Sequence, residues 1–251
     1  MKIGLFTDSH YSTEDYDPIV PSRRPLLSME KIKNALKEFI ENETELIICL
    51  GDLVNVRENS ENELNIFNLK EITKIISDSG IKTYCILGNH DLIAFDSDEF
   101  TRLTGIKTAP LTIRQGEDNE DIHIEDIQFV LLDANYSRDG LSYRKGGNDW
   151  TDSFIPGEQL EWLKTVLNDA NKKVYVFIHQ CLNLCGGISH MISNADEIRK
   201  ILEESGKVRA VYQGHYHKGD YRVINGIEYI TLKAMCEGVE NSFIILNTEE
   251  L

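Results

Sequence analysis

Apolar residues fall into short runs and longer stretches of helical spacing that alternate along the chain. Residues 3–7 read as a strand. Residues 28–40 place Met29, Ile32, Leu36, Phe39 and Ile40 on one stripe, which predicts an amphipathic helix. A strand over 45–50 ends at Gly51, a helix over 61–79 stops at Gly80, and a strand over 82–87 ends at Gly88. This alternation predicts an α/β architecture with parallel pairing. Residues 96–103 predict a short helix, and 111–115, 121–124 and 127–133 predict strands joined by polar turns. Pro156 opens a helix to about residue 170, as proline favours the first helical position. A strand over 173–178, a helix over 195–205 and a strand over 208–213 follow. Residues 221–246 read as hairpin strands turning at Asn225-Gly226. With no repeat, low-complexity tract or linker, one domain over 1–251 is expected.

Composition narrows the partners. The chain is 41% hydrophobic, enough for a sizeable core, and carries 42 acidic against 26 basic side chains, a formal charge of -16. Duplex binding draws on Lys and Arg to displace counterions, so long nucleic acids and anionic membranes are not expected partners. A small anionic substrate responds to its site more than to the global field. No apolar stretch near the start has the length of a signal region, and none approaches the roughly 20 residues of a membrane span. The expectation is a cytoplasmic protein. The odd, sparse cysteine set (Cys49, Cys85, Cys181, Cys185, Cys236) does not read as a disulfide framework.

Chemistry gathers just past the predicted strands. Asp8-Ser9-His10 follows the first, Gly51-Asp52-Leu53-Val54 the second and Gly88-Asn89-His90-Asp91 the third; His179 follows the strand ending at 178, and Gly214-His215-Tyr216-His217 the one ending at 213. In open α/β sheets, sites form beyond the carboxyl ends of strands. Asp, Asn and His together suit Mn, Fe, Zn or Co, whereas Ca and Mg prefer oxygen alone. Residues two apart in an extended segment share a side, so Asp8 with His10, and His215 with His217, can face one centre. The glycines at 51, 88 and 214 are read as sharp turns. A single histidine is more often a core or surface residue. Five of the chain's seven at strand ends, beside Asp8, Asp52 and Asn89, are not explained by packing.

The ordered set Asp-x-His, Gly-Asp-x-Val, Gly-Asn-His-Asp, His, Gly-His-x-His, spanning residues 8–217, resembles the signature of the calcineurin-like metallophosphoesterase superfamily. The resemblance implies a four-layered α/β/β/α sandwich of two mixed sheets. It implies two divalent metal ions (Mn, Fe or Zn), the first held by Asp8, His10, Asp52 and His217, the second by Asp52, Asn89, His179 and His215, with Asp52 bridging. The implied reaction is hydrolysis of a phosphate ester or anhydride by a metal-activated water. His90 matches the family's non-ligand histidine and is assigned to stabilise or protonate the leaving group. Asp91 is read either as orienting His90 or as a turn or cap residue. Segments 23–32, 156–163 and 214–221 are similar to the manganese-dependent ADP-ribose/CDP-alcohol diphosphatase group, and cyclic-nucleotide phosphodiesterases are the other close candidates. A small phosphodiester or nucleotide-like diphosphate is therefore the expected substrate, with a phosphomonoester as the alternative. The chain departs from many relatives at His179-Gln180-Cys181, where another His or a nearby Pro is common.

Substrate contacts are sought in irregular segments. Arg23, Arg24, Arg138, Arg144 and Lys145 either grip a second phosphate or are solvated loop charges. Tyr11, Tyr136 and Tyr143 either stack on a base or sit in the rim or core. His190, in a Gly-rich loop near His179, is a candidate contact, and His123 reads as a surface residue. Other functions fit less well. A non-catalytic interaction module would have lost ligands or His90, and neither is lost. Cys181 and Cys185 have no second pair to complete a zinc site and read as core or loop thiols. A DNA nuclease is disfavoured by the acidity and by the lack of an appended capping domain.

Overall fold

The computed structural model describes residues 1–14, 17, 19–56, 62–113, 127–171 and 173–250. The expected strand at 121–124, with His123, lies outside them. Strands are β1 (Lys2–Phe6), β2 (Leu46–Cys49), β3 (Lys82–Cys85), β4 (Lys107–Thr108), β5 (Leu111–Ile113), β6 (Ile127–Leu131), β7 (Lys173–Phe177), β8 (Val208–Gln213), β9 (Lys218–Ile224), β10 (Ile227–Lys233) and β11 (Ile244–Asn247). Helices are α1 (Pro25–Glu41), α2 (Asn62–Asp78), α3 (Asp91–Ala94), α4 (Ser97–Thr104), α5 (Gly157–Asp169) and α6 (Ala195–Ser205). One sheet runs β11-β1-β2-β3-β4 and the other β5-β6-β7-β8-β10-β9. Both are mixed, with a parallel centre and antiparallel pairs at β1–β11, β5–β6 and β9–β10.

Strand alternation sorts side chains into layers. Ile3, Leu5, Leu46 and Ile48 of one sheet meet Phe129, Leu131, Tyr175, Phe177 and Tyr212 of the other in a buried layer between them. The opposite faces take helices. Phe6, Ile47 and Cys85 pack under Ile32, Phe39, Leu69, Ile72 and Phe100 of α1, α2 and α4. Val130, Val174, Val176 and Val211 pack under Leu160, Leu163, Ile198 and Leu202 of α5 and α6. The expected α/β/β/α sandwich results. Burying such side chains contributes about 1.5–3 kcal/mol each, and Gly4 permits the close approach of α1, since a Cβ there would lie 2.6 Å from the Phe39 ring.

Three local readings change. Pro156 caps α5 from outside, and the helix begins at Gly157. The Asn225-Gly226 turn is present, both residues having positive φ (51° and 84°), and joins β9 to β10. The last strand, however, leaves that hairpin: β11 crosses to the other sheet and pairs with β1, Lys2 opposite Asn247. Cys181 and Cys185 are joined in a disulfide rather than standing as free thiols. Cys49, Cys85 and Cys236 are free and buried.

Candidate metal centre

Five loops leave the carboxyl ends of β1, β2, β3, β7 and β8 on one side of the sandwich and meet there. The backbone is forced. Asp8, His10, Asp52 and His215 all have left-handed φ values (50°, 41°, 50° and 64°), which non-glycine residues rarely adopt. Amide bonds lock the loops together: Asp8 N–H to Gly51 O, His10 N–H to Asp52 O and Gly214 N–H to His179 O, each 2.9 Å. Of the motif glycines, only Gly51 has positive φ (105°). Gly88 and Gly214 are there for close approach instead of sharp turning. A Cβ at Gly88 would meet Asp52 Oδ1 at 2.1 Å, and one at Gly214 would meet Thr7 Oγ1 at 2.1 Å.

The polar atoms converge. Asp52 Oδ2 lies 3.5 Å from His10 Nε2 and 3.4 Å from His179 Nε2, between the two rings. Asp8 Oδ1 lies 3.5 Å from His217 Nε2 and 3.8 Å from His10 Nε2. The Nε2 atoms of His10 and His217 are 3.2 Å apart. Ligand atoms of Asp52, His179 and His215 fall within 4.8 Å of one another. Outer atoms are tied to protein: His179 Nδ1 to Leu50 O (2.7 Å), Asp52 Oδ1 to His90 N–H (2.8 Å) and Asp8 Oδ2 to His215 N–H (2.9 Å). Asp8 Oδ1, Asn89 Oδ1, His179 Nε2 and His215 Nε2 are buried with no hydrogen-bond partner. Leaving such an atom unsatisfied costs about 1–3 kcal/mol. Donors about 2.1 Å from a shared ion lie roughly 3.0–3.5 Å apart, so the cluster fits divalent metal.

Charge follows the same arrangement. Burial pushes the Asp8 and Asp52 carboxyls up, yet the surrounding imidazoles, His10 and His217 for Asp8 and His179 foremost for Asp52, hold both below the usual carboxylate range. Burial depresses His10 and His215 well below the ordinary imidazole value, helped by Arg23 at His10 and His179 at His215. Against burial, the Asp52 charge lifts His179 to about 9.

His90 is partly buried at the cluster's edge. Its Nδ1 meets Val56 O at 3.0 Å and its Nε2 meets Arg23 Nη1 at 3.4 Å. Burial, with Arg23 adding to it, lowers its pKa. Arg23 is braced 3.6 Å from Asp17 Oδ2. Asp91 does not touch the His90 ring. Its carboxylate accepts from Leu53 N–H (2.9 Å), Val54 N–H (3.2 Å) and Gly88 N–H (3.0 Å), fastening the Asp52 loop to the Asn89 loop. The Val56 carbonyl orients His90 instead.

The tentative substrate residues divide. His190 reaches the cluster, its ring 5.2 Å from that of His215. Tyr11 does not: it is buried in the core, its hydroxyl donating to Glu71 at 2.6 Å. Tyr143 is likewise buried in the core, and Tyr136 pairs through its backbone with Ser142 and Phe154. Arg24 is exposed, its amide donating to Cys236 O. Arg144 is exposed on a turn closed by Asn148. Arg138 pairs with Asp152, and Lys145 with Glu99. Gln180 donates to Asn135 Oδ1 at 2.8 Å in a buried link. Sequence reading missed Glu237, 2.8 Å from His217 Nδ1, and Trp150, whose ring lies 5.4 Å from that of His215. A tryptophan in a Gly-rich loop was a usable signal; a glutamate twenty residues beyond His217 was not.

A two-sheet α/β/β/α sandwich with an Asp/Asn/His crevice past its strand ends defines the class of dinuclear phosphoesterases. The chain belongs to the calcineurin-like phosphoesterase family, whose model matches residues 1–219. It is 25% identical over 213 residues to a probable cyclic nucleotide phosphodiesterase of Psychrobacter arcticus, covering 82% of this chain and 67% of that one. In structure it is similar to a dimetal phosphatase from Danio rerio, with TM-score 0.77 and 16% identity over 97% of this chain and 91% of that one. A protein of Thermus thermophilus shares the fold with TM-score 0.59 and 9% identity, over 94% and 91% of the two chains. Membership of this family supports a phosphoesterase, and implies two divalent ions and phosphate-containing substrates. No helix among the described residues is long and apolar enough to cross a membrane.

Proposed function

We propose that the chain acts as a single catalytic domain that hydrolyses a small phosphodiester or a nucleotide-like diphosphate. Asp8, His10, Asp52 and His217 would hold one divalent ion, and Asp52, Asn89, His179 and His215 the other. The observation that carries this reading is Asp52 Oδ2, 3.5 Å from His10 Nε2 and 3.4 Å from His179 Nε2, where one carboxylate would serve both ligand sets. When bound, such a pair supplies a water of lowered pKa and neutralises charge on the phosphoryl oxygens.

The chain's own groups supply the rest. His90 Nδ1–H donates to Val56 O, which leaves Nε2 as the acceptor facing Arg23. Arg23 therefore brings the fixed positive charge and steadies the leaving oxygen or a second phosphate by charge-assisted hydrogen bonds. His90 positions that guanidinium through its Nε2 lone pair, and Nε2 can take up a proton from solvent and hand it to the leaving oxygen. Asp91 keeps Asp52 and Asn89 at a fixed separation by holding three amides. The reading is tested with metal-stripped protein reloaded with Mn²⁺, assayed on a nitrophenyl phosphodiester, its monoester and ADP-ribose beside His90→Ala. Metal-dependent turnover of the diester or ADP-ribose above the monoester, reduced in the variant, is the expected result. Monoester preference would select the phosphomonoesterase alternative.

A further inference from the structure

Rings line both flanks of the crevice, but on one of them they continue out to an exposed indole. His179 and His215 contact each other edge to face, centroids 5.1 Å apart. Trp150 stands against His215 at 5.4 Å and against His190 at 5.4 Å. His190 meets Tyr216 at 5.4 Å. The series runs outward from the buried ligand imidazoles to an indole that remains 40% exposed. The far flank, where His10 meets His90, ends instead in the Arg23 guanidinium.

The indole is held in place. Gly146 and Gly147, both at positive φ (100° and 122°), turn its loop back, and Gly146 N–H donates to Ile93 O at 2.9 Å. Tyr143 hydroxyl donates to Asp149 O, one residue before Trp150. His190 is set by a backbone bond from Cys181 N–H to its carbonyl, 3.1 Å, and Cys181 is pinned by its disulfide to Cys185. A half-open aromatic surface beside the proposed metal cluster gains by covering its apolar face with a planar ring.

We propose that Trp150, backed by His190 and Tyr216, is a specificity-determining platform that stacks a planar aromatic group of nucleobase type carried by the substrate. This rests on the phosphohydrolase reading above and adds the substrate's chemistry: a nucleobase on the His215 side, and an anionic arm towards Arg23.

The experiment compares adenosine monophosphate with ribose 5-phosphate, the same phosphate and sugar without the base, on Mn²⁺-loaded full-length protein. Calorimetry gives both dissociation constants for wild type, Trp150→Ala and Trp150→Phe. Tryptophan fluorescence supplies a second readout, with Trp162 as the partly buried internal reference. Stacking predicts that the nucleotide binds about tenfold more tightly than the sugar phosphate and quenches the indole. Trp150→Ala removes that advantage, leaves the sugar phosphate within about twofold, and Trp150→Phe restores most of it. Equal binding of the two ligands by wild type, or equal weakening of both by Trp150→Ala as expected of a mere wall behind His215, overturns the platform. Failure of the hydrolase reading shows separately, as absence of metal-dependent turnover by wild type with the binding comparison unaffected.

Discussion

Glu237 Oε1 lies 2.8 Å from Nδ1 of His217, and the same carboxylate oxygen accepts from the Ser22 hydroxyl at 2.9 Å. Glu237 accepts from Nδ1–H, which leaves Nε2, 3.5 Å from Asp8 Oδ1, as the atom that would face an ion. Carboxylates of this kind orient metal-ligating histidines and raise their basicity. Losing them costs about 10–100-fold in metal affinity. Glu237→Gln should weaken binding of one of two ions by about tenfold in competition titrations with a chelator dye, and leave the other unchanged. Equal weakening of both ions would contradict the assignment of His217 to one of them.

Gly214 and Gly206 predict opposite kinds of damage. A methyl at Gly214 would lie 2.1 Å from Thr7 Oγ1 and 2.8 Å from Asp8 Oδ2, displacing a proposed ligand. Gly206 has φ 64° and open space around its Cβ position. Gly206→Ala should cost about 1–2 kcal/mol through backbone strain and keep full turnover. Gly214→Ala should cost about 1–3 kcal/mol through overpacking and abolish metal-dependent turnover. Denaturant melts beside activity assays separate the two.

Burial, with the Asp52 charge adding to it, lifts the Asp91 carboxyl from 3.8 to about 7. Its folded value lies above its unfolded one, so the stability it contributes is complete below about pH 4 and lost as pH rises through about 7. Asn cannot titrate. In chelator, the margin of wild type over Asp91→Asn should shrink steadily between about pH 4 and pH 8 in thermal melts. A margin that grows with pH would refute the buried, raised carboxyl.

Arg23, 14% exposed and braced by Asp17, carries the fixed positive charge beside His90. Hydrogen bonds from a charged donor contribute about 1.5–3 kcal/mol. Arg23→Ala should lower kcat/KM for a nucleotide diphosphate by roughly 10–100-fold, and for a nitrophenyl diester, which has no second phosphate, by less. Arg23→Lys should recover part of the loss. Equal losses on both substrates would put the guanidinium on the leaving oxygen alone.

Much of this was legible in the sequence because strands and ligands announce each other. An apolar run that stops at Gly51-Asp52 or Gly214-His215 gives both the strand and the polar residue at its carboxyl end. Period alone does not name a strand's neighbour, so β11 read as part of the hairpin when its partner is β1, over two hundred residues away. Contacts between loops were equally hidden. Asp91 holds three amides, Tyr11 turns inward to Glu71, and Trp150 reaches His215 across 65 positions, none of which spacing encodes. Cys181 and Cys185, four apart, pair because the loop folds back through the Cys181–Met191 bridge instead of continuing as a helix.

The proposed ligands are shared between layers. Asp8, His10, Asp52 and Asn89 hang from β1, β2 and β3, whereas His179, His215 and His217 hang from β7 and β8 of the facing sheet. Between the sheets lies a largely apolar layer, and directional bonds between their loops, such as His179 Nδ1 to Leu50 O and His215 N–H to Asp8 Oδ2, gather at the site end. Ions held from both sides would act as a rivet at one end of the sandwich, and loading them would make two stacked plates behave as one mechanical body.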